Sequence, residues 1–98
     1  MLHEVEAVLR GRLTGAPEGS YSATLLHDPE RAARKIMEEA FEVCLELGRA
    51  GADGRPDPER TASEAADLVF HLIAGLVGAG VSLDAVLDEL ARRRKAGR

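Results

Sequence analysis

The stretch "EAADLVFHLIAGLVG", residues 64–78, restricts the fold of this chain more than any other. Its apolar residues demand burial, yet it carries Glu64, Asp67 and His71. Moving an ionised carboxylate out of water is costly unless a cation or a hydrogen-bonded partner stands beside it. The run has no alternation of apolar and polar residues, and Asp57-Pro58 precedes it. Aspartate as N-cap followed by proline in the first turn is a helix start. A helix from Pro58 to about Ala79 follows, stopped by Gly80. On a wheel of about 100° per residue, Arg60, Glu64, Asp67 and His71 form one polar stripe, and the rest of the circumference is apolar.

Asp28-Pro29 repeats the same start, and predicts a second long helix reaching about Ala50. Here Glu38, Glu42, Lys35, Glu46 and Glu39 fall within about 100° of one another. Ile36, Met37, Ala40, Phe41, Val43, Cys44, Leu45 and Leu47 occupy the remainder. Two such helices should pack together. If their acidic stripes face each other, Glu38, Glu39, Glu42, Glu64 and Asp67 converge. Two like charges at about 4 Å repel by about 4 kcal/mol at an effective dielectric near 20, so the cluster requires a cation. Ligands that are all oxygen select hard metals, Mg²⁺ or Mn²⁺. The plainer alternative is a solvated acidic face, with Lys35 and Glu39 as an ordinary i,i+4 pair.

The rest of the chain also reads as helix. Leu2, Val5, Leu9 and Leu13 have helical spacing. "TGAPEGSYSATLLHD" is a loop with a short helical turn near Ser22–His27, and "GADGRPD" is a second loop of turn residues. Ser82 caps a last helix over 83–95, whose basic end suits the helix dipole. The expected fold is all-α, one domain over 1–98, a bundle of four to five helices.

Composition narrows the function. At 98 residues the chain buries a modest core, yet 45% of it is hydrophobic. Both long helices are apolar over most of their circumference, so a homodimer or larger assembly should complete the core. A net charge of −4 and three aromatic residues, Tyr21, Phe41 and Phe70, argue against nucleic acid as partner. The single cysteine, Cys44, permits neither an intrachain disulfide nor a CxxC metal site. The first residues lack a signal-peptide core, and the run 64–78 is too short and too charged to span a membrane. A cytoplasmic protein is expected.

"KIMEEAFEV" (35–43) and "EAADLVFHL" (64–72) together resemble the EExxE…ExxD pattern of the all-α, MazG-like nucleotide pyrophosphohydrolases. "PEGSYSATLL" (17–26) is similar to the corresponding element of one branch, the phosphoribosyl-ATP pyrophosphatases of histidine biosynthesis. The resemblance runs over almost the whole chain and implies a MazG-like bundle that pairs into dimers. It also implies Mg²⁺-dependent hydrolysis of phosphoribosyl-ATP to phosphoribosyl-AMP and pyrophosphate. The implied metal ligands are Glu38, Glu39, Glu42, Glu64 and Asp67, with Glu39 or Glu42 activating water. Gly19, Ser20, Tyr21, Arg31, Arg34, Lys35 and His71 would contact substrate. Thr24 stands where that branch usually has lysine, which leaves Arg31, Arg34 and Lys35 as phosphate-binding bases. In a dimer, Arg92 to Arg94 would reach phosphates held by the other chain. The enzyme that opens the adenine ring next would not fit in the chain, so a stand-alone pyrophosphatase is expected.

Three other readings compete. One is a house-cleaning pyrophosphohydrolase for noncanonical nucleoside triphosphates, which the 17–26 element disfavours. Another is a di-iron carboxylate site, which needs Glu-x-x-His on two helices; the residue three before His71 is Leu68. The third is a helical dimerisation module with solvated acids.

Overall fold

In a computed structural model the described residues, 1–49 and 54–97, form five α-helices and no strand. They are α1 (Leu2–Gly15), α2 (Tyr21–Leu26), α3 (Pro29–Gly48), α4 (Pro58–Gly78) and α5 (Leu83–Lys95). The expected end of α3 near Ala50 lies outside the described residues, as does the first part of the 51–57 loop. α3 ends at Gly48, with Arg49 as its C-cap.

The helix starts follow side-chain chemistry. Asp28 Oδ1 accepts from the Arg31 N–H at 3.1 Å, and Asp57 Oδ1 from the Glu59 N–H at 3.0 Å. Ser82 Oγ accepts from the Ala85 N–H at 3.1 Å. Each satisfies a backbone donor that the first helical turn leaves unpaired. At the end of α4, the Val81 N–H reaches the Leu76 carbonyl at 2.9 Å and the Gly80 N–H reaches that of Val77 at 3.0 Å. This paired closure needs a left-handed residue, and Gly80 supplies it with φ 76°.

α4 is the central element. Ile73, Ala74 and Val77 join Leu9 of α1 and Leu25 and Leu26 of α2 in one buried cluster. Val5, Leu13 and Phe70 pack against it. α2 approaches α4 so closely that a Cβ on Gly78 would meet the Leu26 carbonyl oxygen at 2.8 Å. A side chain there would force the two helices apart. By length and composition alone α4 as a whole is long and apolar enough to cross a membrane, which the stretch 64–78 read by itself does not suggest. Its buried face and its polar stripe suit a helix at the centre of a core.

α3 and α4 run antiparallel in close contact. Gly75 of α4 lies against Ile36 and Ala32 of α3, whereas Arg60 meets Glu46 at the other end. The start of α5 is tied to α1: Glu6 Oε2 accepts from the Leu83 N–H at 2.7 Å, and His3 Nε2 sits 2.8 Å from Asp84 Oδ1. Arg92 and Arg93 both turn back to Glu89 of their own helix, at 2.9 Å. Those two contacts hold the Glu89 carboxyl below its usual range.

The outward face of α3 is apolar. Met37, Phe41 and Leu45, spaced four apart, are 72%, 61% and 48% exposed, and Cys44 is exposed beside them. On the wheel Met37 and Phe41 lie about 140–180° from Glu39 and Glu46, whereas Leu45 borders the acidic face, about 60° from Glu42. The radius of gyration is 15.5 Å, against about 12–13 Å for a compact chain of this length. A thin, open bundle therefore presents apolar surface of the kind that folded single chains usually bury.

Candidate active site

The antiparallel pairing of α3 and α4 determines which acids meet. Moving toward the C-terminus on α3 means moving toward the N-terminus on α4. Glu39 thereby faces Glu64 and Asp67, and one carboxylate oxygen from each lies within 4.8 Å of the others. Glu39 and Glu64 are half-buried and Asp67 is exposed. Three oxygen donors from two rigid helices, with no sulfur or imidazole among them, fit a hard divalent cation. Water alone would leave three like charges in mutual repulsion.

The other two expected ligands stand at the margin. Glu38 is exposed and takes Lys35 Nζ at 3.1 Å; the same ammonium lies 3.5 Å from Glu39. The Glu38 hydrogen bond, opposed by some desolvation, raises the Lys35 pKa above its ordinary range. Glu42 is exposed, three residues and about one helical turn beyond Glu39 on the acidic stripe of α3. It forms no ion pair among the described residues.

The start of α2 is linked to this face through Tyr21 and His71. Gly19 has φ 77°, a left-handed backbone that glycine adopts without strain. Ser20 is the N-cap of α2 and accepts from the Ala23 N–H at 3.4 Å. Arg12 also reaches Ser20 Oγ, at 3.5 Å. The Tyr21 hydroxyl lies 2.7 Å from His71 Nε2, and His71 Nδ1 lies 2.6 Å from the Asp67 carbonyl oxygen. A carbonyl only accepts, so Nδ1 carries the proton; in the neutral ring Nε2 then accepts from tyrosine. His71 is thus buried with both nitrogens used, and its bond to Asp67 runs through the backbone and not the carboxylate. It anchors the loop to the helix turn that bears Asp67. Thr24 donates to the Tyr21 carbonyl at 2.6 Å, within α2. Arg31 and Arg34 are exposed in the first turns of α3.

One acid of the α3 stripe behaves unlike the rest. Glu46 is only 3% exposed, and its Oε1 lies 2.8 Å from Arg60 Nε. Its Oε2 has no hydrogen-bond partner, with Arg49 Nε at 3.7 Å. Both Glu46 and Arg60 stand on the polar stripes read from the sequence. Their meeting follows from antiparallel register, which neither helix reveals alone.

A family model described as phosphoribosyl-ATP pyrophosphohydrolase matches residues 2–94. A phosphoribosyl-ATP pyrophosphatase of Metallosphaera sedula is 44% identical over 96 residues, which cover 97% of each chain. A protein of the same name from Methanopyrus kandleri is 41% identical, covering 97% of this chain and 95% of its own. Another, from a Caulobacter species, is 43% identical, covering 95% and 81% respectively.

Proposed function

This chain belongs to the phosphoribosyl-ATP pyrophosphohydrolase family, and from that premise we propose how its acidic face works. The chain hydrolyses phosphoribosyl-ATP between the α and β phosphorus atoms, releasing phosphoribosyl-AMP and pyrophosphate, a step of histidine biosynthesis. The observation that carries the reading is the convergence of Glu39, Glu64 and Asp67 from facing helices.

These residues, with Glu38 and Glu42 at the margin, would hold Mg²⁺, or Mn²⁺ in its place. Bound there, the ion supplies charge neutralisation and a more acidic water. The side chains do the rest. Glu39 is committed to the trio and to Lys35. Glu42, unpaired and adjacent, takes the proton from the attacking water. The water oxygen forms the new P–O bond, the anhydride P–O bond breaks, and pyrophosphate leaves with the electron pair. Lys35 carries positive charge at one end of the face and suits phosphate. Arg31 and Arg34, at the start of α3, add further charge around it. Gly19 and Ser20 bring backbone close to the substrate, and Tyr21, held by His71, fixes the loop above Asp67. Such positioning and electrostatics carry most of phosphoryl transfer.

A homodimer accompanies this reading. The exposed Met37–Phe41–Leu45 stripe and the open bundle support it, and a second copy of the same stripe is the simplest cover. The partners are then a small-molecule substrate and a second copy, with no nucleic acid or membrane, and the reaction belongs in the cytoplasm.

Product analysis tests the function. Phosphoribosyl-ATP and a panel of nucleoside triphosphates are incubated with the protein, with and without Mg²⁺. Phosphoribosyl-AMP and pyrophosphate should form only with Mg²⁺. Faster turnover of a noncanonical triphosphate would favour the house-cleaning reading instead.

A further inference from the structure

The face between α3 and α4 carries a cation at each of its ends. Lys35 stands at the end nearest Tyr21 and His71, and Arg60 stands at the other, beyond Glu64. Lys35 is engaged by two carboxylates of the face itself. Arg60 is different. Glu46 is the one carboxylate it pairs with among the described residues, and the contact is through Nε. Its side chain remains 56% exposed, and neither terminal nitrogen of the guanidinium fork is engaged by a carboxylate of the described residues. Arg60 starts one helical turn, about 6 Å, from Glu64 on the same face. A phosphate held at the acidic trio would lie within the span of its long side chain.

Glu46 is a poor investment if its task is stability alone. A buried carboxylate with one oxygen unpaired costs more than apolar packing of the same shape. What its burial does provide is a rigid seat for a long, otherwise mobile side chain. Arginine bound at Nε by a fixed carboxylate loses its rotamer freedom before a ligand arrives, so less is lost on binding. Its planar fork matches two phosphate oxygens.

We propose that Arg60, oriented by the buried Glu46, is a substrate-binding residue that grips the phosphates of the substrate and of the pyrophosphate product at the end of the cleft opposite Lys35. Arg60 is the binding group, and Glu46 is the positioning residue. The proposal rests on the pyrophosphohydrolase reading above.

The test must separate phosphate binding from mere charge balance around Glu46. Replacing Glu46 by Gln removes the buried charge but keeps a side chain of the same shape. Arg60→Gln is then compared within that background, by steady-state kinetics with phosphoribosyl-ATP and by inhibition with inorganic pyrophosphate, both at saturating Mg²⁺. The expected result is a rise of about tenfold or more in KM and in the pyrophosphate inhibition constant, the size of one lost charge-assisted contact. In the natural background, Arg60→Lys keeps the charge opposite Glu46 but loses the fork. Its pyrophosphate inhibition constant should rise severalfold while its melting temperature stays within a few degrees. Unchanged KM and unchanged pyrophosphate inhibition in these variants overturn the role of Arg60. A wild-type protein with no phosphoribosyl-ATP turnover overturns the underlying reading instead.

Discussion

Asp67→Asn should stabilise the protein without Mg²⁺ and destabilise it, relative to wild type, with Mg²⁺. One carboxylate oxygen from each of Glu39, Glu64 and Asp67 lies within 4.8 Å of the others. At an effective dielectric near 20, each pair at that separation repels by about 3–4 kcal/mol, and Asp67 takes part in two pairs. Asp67 is exposed, and solvent reduces such terms several-fold, so a relief of about 1 kcal/mol is a reasonable expectation. In a chain of this size that raises the melting temperature by about 4–8 °C. With Mg²⁺ at about 100 times its dissociation constant, wild type gains about 2.7 kcal/mol by linkage. The variant has lost a ligand and a charge, and gains little. Thermal melts followed by circular dichroism, in EDTA and across an Mg²⁺ titration, should therefore cross. Activity should be abolished. Parallel titration curves, with Mg²⁺ raising both melting temperatures equally, would falsify the assignment of Asp67 to a metal site.

Glu42→Gln should leave Mg²⁺-dependent stabilisation largely in place while lowering kcat by about two to four orders of magnitude, the usual worth of a general base; near-native turnover at saturating Mg²⁺ removes it from that role. Gly19→Val forces a β-branched residue into a left-handed conformation, at about 1–2 kcal/mol, and should impair hydrolysis of phosphoribosyl-ATP far more than it lowers the melting temperature. Equal turnover would reduce the 17–24 loop to a connector. Tyr21→Phe removes the donor to His71 Nε2, and leaving that buried nitrogen unpaired should cost about 1–3 kcal/mol in urea denaturation. Phe41→Asp should turn a dimer into monomers in sedimentation equilibrium at micromolar concentration. A wild-type species with the mass of one 10.5 kDa chain, folded and active, would refute the dimer outright.

Local signals were readable because each has a short-range cause. The two Asp-Pro starts, the Ser82 cap and the Gly80 stop all act within one helical turn, and the helix limits they imply agree with the structure to within two residues. The acidic stripes were readable for the same reason, since spacing along one helix decides the face. Register between helices was not. Whether Glu39, Glu42 or Glu46 opposes Glu64 depends on how Ile36 seats against Gly75, and that is a packing outcome. The sequence therefore offered five equivalent acids, whereas the structure gathers three, pairs one with Lys35 and leaves Glu42 free. The same limit hid Arg60 and Glu46. Each was a charge on a polar stripe, and only the antiparallel pairing joined the buried Glu46 to the exposed Arg60. The role of His71 was hidden too, because its partners are a backbone carbonyl and a tyrosine fifty positions away.

Two faces of α3 bear on how so small a chain would tolerate the proposed site. One face holds carboxylates that repel one another, a standing cost whenever no cation is present. The neighbouring outward face holds Met37, Phe41 and Leu45, largely exposed in a single chain. Phe41 alone, at 61% exposure, leaves about 120 Å² in water if its full surface is about 200 Å². At about 25 cal/mol per Å² its burial is worth about 3 kcal/mol, and twofold symmetry counts it twice. Pairing through that stripe would thus return energy of the same order as the acidic face costs, on the same rigid helix. It also predicts a coupling. Because the two faces share α3, a variant that weakens pairing, such as Phe41→Ala, should make folding more dependent on Mg²⁺ than in wild type. Melting temperatures measured at several protein concentrations, with and without Mg²⁺, read that coupling directly. If Mg²⁺ raises the melting temperature of Phe41→Ala and wild type by the same amount at every concentration, the two faces are energetically independent.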